Sequence, residues 1–303
     1  MARVHETTQD IPASPLAGRH WRQRSGALDF VRALLQTGAG KIGCTIILLL
    51  ICIAIFAPAI APDDPIKIDV PNRLTAPSAR HLFGADDIGR DVFSRVIYGS
   101  RISLRVGVVS VAIALAFGVT LGMLAGFYGG GVDTVIMRFI DILLAFPGFL
   151  LALAIVAMLG PSLTNAMIAV GIGEASGFAR LVRGSVLSVK EKDYVTAAQV
   201  VGASNARIMR TAVLPNVLAP IVILATLLFP VAILAAASLS FLGLGAQPPS
   251  PEWGSMLVAG RTFITTAPWL INFPGLAIFI TVLGFNLFGN AVRDAMDPRL
   301  RQR

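Results

Sequence analysis

Residues 106–127 read VGVVSVAIALAFGVTLGMLAGF, a run without one charged side chain. As a helix it rises about 33 Å, enough to cross roughly 30 Å of hydrocarbon, where every backbone N–H and C=O must find its partner within the segment. Five further stretches qualify, at 42–61, 139–160, 161–179 (the least apolar), 217–246 and 270–292. The pattern predicts an all-α polytopic membrane protein with about six transmembrane helices. Its parts are a cytoplasmic leader 1–41, a first anchor 42–61, an external segment 62–105, a core 106–292 containing a cytoplasmic loop 180–216, and a cytoplasmic tail 293–303.

Composition agrees. Of 303 residues 55% are apolar and 14% charged, with mean hydropathy +0.75, far from a soluble domain. The net charge of +8 does not indicate nucleic acid, because the basic residues sit at the ends of apolar spans and form no patch interleaved with aromatics. Cys44 and Cys52 would lie about 12 Å apart on one helix, too far to bridge. His5, His20 and His81 have no Cys or carboxylate at ligand spacing, so neither a metal nor a catalytic site is expected. A chain that hydrolyses ATP carries a Gly-rich loop ending in Gly-Lys-Ser/Thr. Here only Lys41 among the four lysines follows a glycine, and Ile42 follows it. The chain is expected to be no enzyme and to hold no cofactor.

Positive residues stay on the cytoplasmic side. Segments 1–41, 128–138, 180–216 and 293–303 hold 17 Lys and Arg; the opposite set holds six, Lys67, Arg73, Arg80, Arg90, Arg95 and Arg261. Both termini are therefore expected inside. Ala59-Ile60-Ala61 resembles a signal cleavage site, but the leader and the apolar run are both too long for a secretory signal, which favours an uncleaved anchor. Up to about Ser25 the leader has a disordered composition.

The segment 190–216, KEKDYVTAAQVVGASNARIMRTAVLPN, is too polar to span and too apolar for a solvated linker. It reads as two short helices. The first covers 194–201, Gly202 supplies a positive φ, and Ser204 or Asn205 caps the second, which ends or kinks at Pro215. Two readings stand side by side: a docking element with alanines where a partner approaches, or a hairpin lying on lipid headgroups with its arginines snorkelling.

The spacing Ala197-Ala198, Gly202, Leu214-Pro215 resembles the EAA loop of permease subunits of binding-protein-dependent ABC importers: Glu-Ala-Ala, three residues, Gly, nine residues, Ile, one residue, Leu-Pro. Thr196 stands in the Glu place and Ala212 in the Ile place. From about 81 to 301 the chain is further similar to the C-type permease of dipeptide, oligopeptide and nickel importers. The matching motifs are HLFGADDIGRDVFSR (81–95), LAFP (144–147), ARLVRG (179–184), SFLGLG (240–245) with QPP (247–249), and RDAMDPRL (293–300). Gly289-Asn290-Ala291-Val292 departs modestly from the family's commoner Gly-Asp-Gly-Leu.

The resemblance implies a type I ABC importer permease fold in a bacterial inner membrane. It implies that Thr196, Ala197, Ala198, Gly202, Ala203, Ser204, Leu214 and Pro215 form the coupling helix and its surroundings, seated in a cleft of an ATPase subunit. The implied partners are a second homologous permease in a heterodimer, two ABC ATPase subunits that carry ATP and Mg, an external solute-binding protein, and membrane lipid. Dipeptides or oligopeptides are the implied cargo, with nickel or glutathione as alternatives.

Other residues carry two readings each. Glu174, in the weak fourth span, is either a functional intramembrane carboxylate or a helix-end group that reaches the headgroups or pairs with a neighbouring helix. Asp141 pairs with Arg138 at i,i+3, and Asp87 with Arg90 if that stretch is helical. Pro147, Pro230 and Pro274 either open the spans for gating or leave static kinks. Gly107, Gly118, Gly122 and Gly126 form a close-packing face. Segment 62–105 either contacts a receptor or partner permease, or caps the bundle. A stand-alone secondary transporter or channel would show internal repeats, and a membrane enzyme a nucleophile with its base; the spans show neither.

Overall fold

A computed structural model of the protein describes residues 26–296; the leader before Gly26, with His5 and His20, and the tail beyond Met296 lie outside the described residues. A short helix α1 (Gly26–Gln36) precedes α2 (Gly38–Ile60), which is capped by Thr37 accepting from Gly40 N at 3.0 Å. Then follow α3 (Val92–Tyr128), α4 (Gly130–Leu144), α5 (Gly148–Leu159), α6 (Leu163–Lys190), α7 (Asp193–Val200), α8 (Asn205–Ile208), a π turn (Met209–Val213), α9 (Leu214–Phe241), α10 (Trp253–Gly260) and α11 (Trp269–Met296).

Among the described residues, four continuous helices are long and apolar enough to cross a membrane: α2, α3, the run Asn205–Phe241, and α11. The third expected span is not one helix. α4 and α5 meet at 89°, because Pro147 lacks an N–H and disfavours helical geometry at Phe146 before it. The fourth, α6, has the length to cross but a weaker apolar sequence. Its enclosed face, with Phe178, Ala179, Val182 and Val186, is apolar; the polar and glycine positions that lower its hydropathy, among them Glu174, Gly177, Arg180 and Gly184, lie on the remaining face.

Several boundaries differ from the expected ones. α3 begins at Val92, where Asp91 accepts from Ser94 N at 2.7 Å; residues 92–105 therefore extend the second span rather than belong to a loop. The fifth span ends at Phe241, since Gly243 takes φ +80 and turns the chain before Ala246. It also begins earlier than expected, because the helix does not stop at Pro215. The widened π turn just before Leu214 takes up the missing N–H and the ring that an α-helical turn would exclude. Pro230 and Pro274 sit inside unbroken helices.

α3 and α6 run parallel with their backbones close together. A Cβ on Gly122 would lie 2.5 Å from Ala179 O, one on Gly126 2.8 Å from Val186 Cβ, and one on Gly118 would strike Ala175 O. Such small-residue seams let membrane helices gain dispersion contacts that lipid cannot match. Lys190 at the foot of α6 reaches Phe127 O at 3.4 Å. α2 packs against α11 in the same way, with Gly43 set on the Phe288 backbone.

The chain thus has two ends. At the cap end, residues 61–91 fold over α3, α10 and α11. Arg95 donates to Pro65 O at 2.8 Å, Arg90 Nε to Asp86 Oδ2 at 2.6 Å, Trp253 Nε1 to Val96 O at 3.0 Å, and His81 Nδ1 lies 3.0 Å from Asp91 Oδ1. The 84–91 stretch is a tight turn closed by an Ala85–Asp91 bridge, not a helix, so Asp86 rather than Asp87 is the main partner of Arg90; Asp87 lies at 4.0 Å. Burial pushes the Glu252 carboxyl up, opposed by donors from Gly254 and Ser255 at 2.9 and 2.8 Å. At the opposite, loop end lie α1, α7, α8 and the C-terminus of α11.

Gly122→Val is expected to force α3 and α6 apart, costing about 1–3 kcal/mol as overpacking does. Gly184→Ala, with open space around its Cβ position, should be neutral or stabilising by roughly 0.5–1 kcal/mol. Thermal unfolding of the purified protein in detergent distinguishes the two.

Candidate functional site

The loop end is built around α7, an eight-residue helix from Asp193 to Val200, one position before the expected 194–201. It closes with two backbone bonds around Gly202: Gly202 N donates to Gln199 O at 2.9 Å and Ala203 N to Ala198 O at 3.0 Å. This pairing satisfies the last carbonyls of the helix and needs a left-handed residue between them; Gly202 has φ +83. Ser204 then takes the N-cap place of α8, but its hydroxyl makes no capping bond.

The loop is continuous with the core of the bundle. Val195, Ile208 and Val213 are almost completely enclosed and pack with Val182, Val186 and Val217 in one cluster. A hairpin floating on lipid headgroups has no such root. The eight expected coupling residues divide by role. Ala198, Ala203 and Leu214 pack partly into the cluster, while Thr196, Ala197, Gly202, Ser204 and Pro215 face outward.

Three neighbours were not singled out from the sequence. Val200 and Val201 are 83% and 86% exposed, and Tyr194 46%. Two adjacent exposed valines, in a segment that also exposes Lys192, Asp193, Arg207 and Arg210, form the kind of small apolar patch that marks a protein contact. The signal was present in the sequence as Val200-Val201, but a β-branched pair reads equally as helix interior until its direction is known.

A second group lies on α4 and α6. Arg183 holds Asp133 through two bonds, the Nη2–Oδ2 one at 2.6 Å. Asp141 pairs with Arg180 at 2.8 Å, not with Arg138 as its i,i+3 spacing suggested, because a partner on the adjacent helix is in closer reach. Glu174 is half-buried and makes no ion pair or side-chain hydrogen bond among the described residues, so the expected partner on a neighbouring helix is not present there. No group of three His, Cys, Asp or Glu side chains suited to a metal occurs among the described residues. The loop end combines an enclosed root with a small exposed apolar tip.

Comparison with known proteins concerns the chain as a whole. Residues 118–302 match the family model described as binding-protein-dependent transport system inner membrane component, and residues 27–77 match the N-terminal TM domain of oligopeptide transport permease C. The dipeptide transport system permease protein DppC of Alkalihalophilus pseudofirmus is 53% identical over 290 residues, covering 96% of this chain and 95% of the relative. The glutathione transport system permease protein GsiD of Pectobacterium atrosepticum is 43% identical, covering 93% and 99%. A solved structure of the MetNI methionine ABC transporter in an inward-facing conformation superposes with a TM-score of 0.55 at 19% identity, over 67% of this chain and 97% of that chain; this likeness concerns the fold alone.

Gly202→Val is expected to cost about 1–2 kcal/mol through its left-handed backbone, since no neighbour lies within 4 Å of the added Cβ. The readout is limited proteolysis, with faster cleavage between Gln199 and Asn205 and an unchanged pattern elsewhere.

Proposed function

Because this chain belongs to the family of inner-membrane components of binding-protein-dependent transport systems, we propose that it forms half of the membrane pathway of an ATP-driven importer of dipeptides or short oligopeptides. α7 with its Gly202 turn is the coupling element that docks on an ATPase subunit. The observation that carries this reading is the junction of an exposed tip, Val200 and Val201, with a fully enclosed root, Val195, Ile208 and Val213. A push on the tip cannot be absorbed by the loop and passes to α6 and α9.

The energy source is external to the chain: ATP and Mg are bound by two separate ABC ATPase subunits. A second, homologous permease completes the pathway as a heterodimer, and an external solute-binding protein delivers the cargo. The loop end faces the cytoplasm, with both termini inside, in accord with the excess of Lys and Arg at that end. The cap end faces the receptor, and its closed network of ion pairs suits a static platform. Coupling requires the ATPase to bind the loop end differently in its two states, for only a differential affinity shifts the conformational equilibrium.

The cargo assignment draws on the DppC likeness. The glutathione permease relative supports a second reading, a tripeptide-like thiol cargo, which shares the ammonium and carboxylate chemistry of small peptides. Competition for uptake between a labelled dipeptide and glutathione separates the two.

Val200→Glu with Val201→Glu is expected to abolish co-purification of the ATPase subunits while the second permease stays bound. The readout is subunit stoichiometry after affinity purification. Retention of both ATPases at wild-type levels would remove the docking role from this tip.

A further inference from the structure

α6 differs from the other crossing helices in what it leaves uncovered. α2, α3, the Asn205–Phe241 run and α11 each expose large apolar side chains, among them Phe56, Phe117, Leu218 and Phe279. Such surfaces suit hydrocarbon. α6 exposes no large apolar side chain; its exposed positions are Thr164, Gly177, Arg180, Gly184 and Ser188. A crossing helix with that outer face is turned to water or to protein.

Glu174 stands at the edge of this face, about 9 Å along the helix from Arg180 and about 16 Å from the start at Leu163. That places it well inside the crossing. The broken bend between α4 and α5 flanks it, with Gly148 O 3.5 Å from the Cβ position of Gly173. The two arginines that follow it on α6 are already committed: Arg180 to Asp141, with side chains 59% and 55% exposed, and Arg183 to Asp133. Glu174 is the charge on this face with no partner among the described residues. An isolated carboxylate at such depth is costly unless water or a visiting cation compensates it.

We infer that Glu174 lines the aqueous path through the membrane and receives the cationic groups of the passing solute. These are the N-terminal ammonium of an unblocked peptide and any lysyl or arginyl side chain it carries. The cargo part of this inference rests on the peptide-import reading above; the aqueous placement does not. A lone, half-exposed carboxylate provides a weak and transient pair, which suits a step that must release what it binds.

The test uses the complete importer reconstituted in vesicles with its receptor, comparing initial uptake of a lysyl-dipeptide and an aspartyl-dipeptide. Glu174→Gln is expected to lower lysyl-dipeptide uptake roughly two- to fivefold, as loss of an exposed ion pair allows, with a smaller effect on the aspartyl-dipeptide. Glu174→Asp should keep the wild-type ratio of the two rates and Glu174→Lys invert it. A ratio unchanged in Glu174→Gln and Glu174→Lys overturns the inference. So does loss of the second permease from purified Glu174→Gln complexes, which would make Glu174 an inter-subunit pairing residue.

A readout independent of cargo is Glu174→Cys in a background of Cys44→Ser and Cys52→Ser, treated with a charged, membrane-impermeant thiol reagent. Labelling is expected in the assembled complex and not at Phe279→Cys; an unreactive Glu174→Cys overturns the placement. A wild-type complex that imports neither dipeptide, with Glu174→Cys labelled, defeats the peptide cargo while supporting the aqueous placement.

Discussion

The close approach of α3 and α6 along Gly118, Gly122 and Gly126 is the contact on which the rest of the bundle depends. Within a bilayer, lipid tails solvate apolar side chains as well as leucine does, so helices associate only where packing outdoes acyl chains. Removing three Cβ atoms from one side of the seam lets the α6 backbone settle against α3. The enclosed face of α6 can then be small and apolar, and its outer face is free to carry glycines, Arg180 and Glu174. A helix standing alone in lipid would not tolerate that outer face.

The same seam gives the loop end its rigidity. α6 delivers Val186 directly above α7, and Val195, Ile208 and Val213 extend the cluster without interruption to Val217 at the start of the next crossing. The loop is therefore an extension of two transmembrane helices rather than a tether between them. The π turn at Met209–Val213 allows this continuity, since it carries the helix past Pro215. Packed interiors are bistable rather than elastic, which is the property that the proposed coupling role of the loop requires.

The cap end follows the opposite strategy. Its fold is held by charge-assisted hydrogen bonds among buried groups, with Asp86, Arg90 and Arg95 bonded to one another or to backbone carbonyls. Breaking one member of such a set leaves a buried charge uncompensated, which makes the arrangement stiff and intolerant. Between the cap and the rooted loop lies the bundle, with the 89° break between α4 and α5 as its one interrupted pair among the described residues.

By itself the sequence determined the solvent of this protein, four of its apolar crossings, and the place of the helix–glycine–helix loop. These follow from local properties: hydropathy summed over about 20 residues, the φ that Gly202 alone tolerates, and fixed motif spacing. The tertiary structure alone decided the partners. Asp141 took Arg180 over Arg138, Arg90 took Asp86 over Asp87, Glu174 found no partner among the described residues, and Val200 and Val201 turned outward. It also decided that Pro147 breaks its span while Pro230 and Pro274 do not. The physical reason is common to all of these. A pairing or a kink depends on what a neighbouring helix presents at the same depth, and sequence spacing carries no record of which helix that neighbour is.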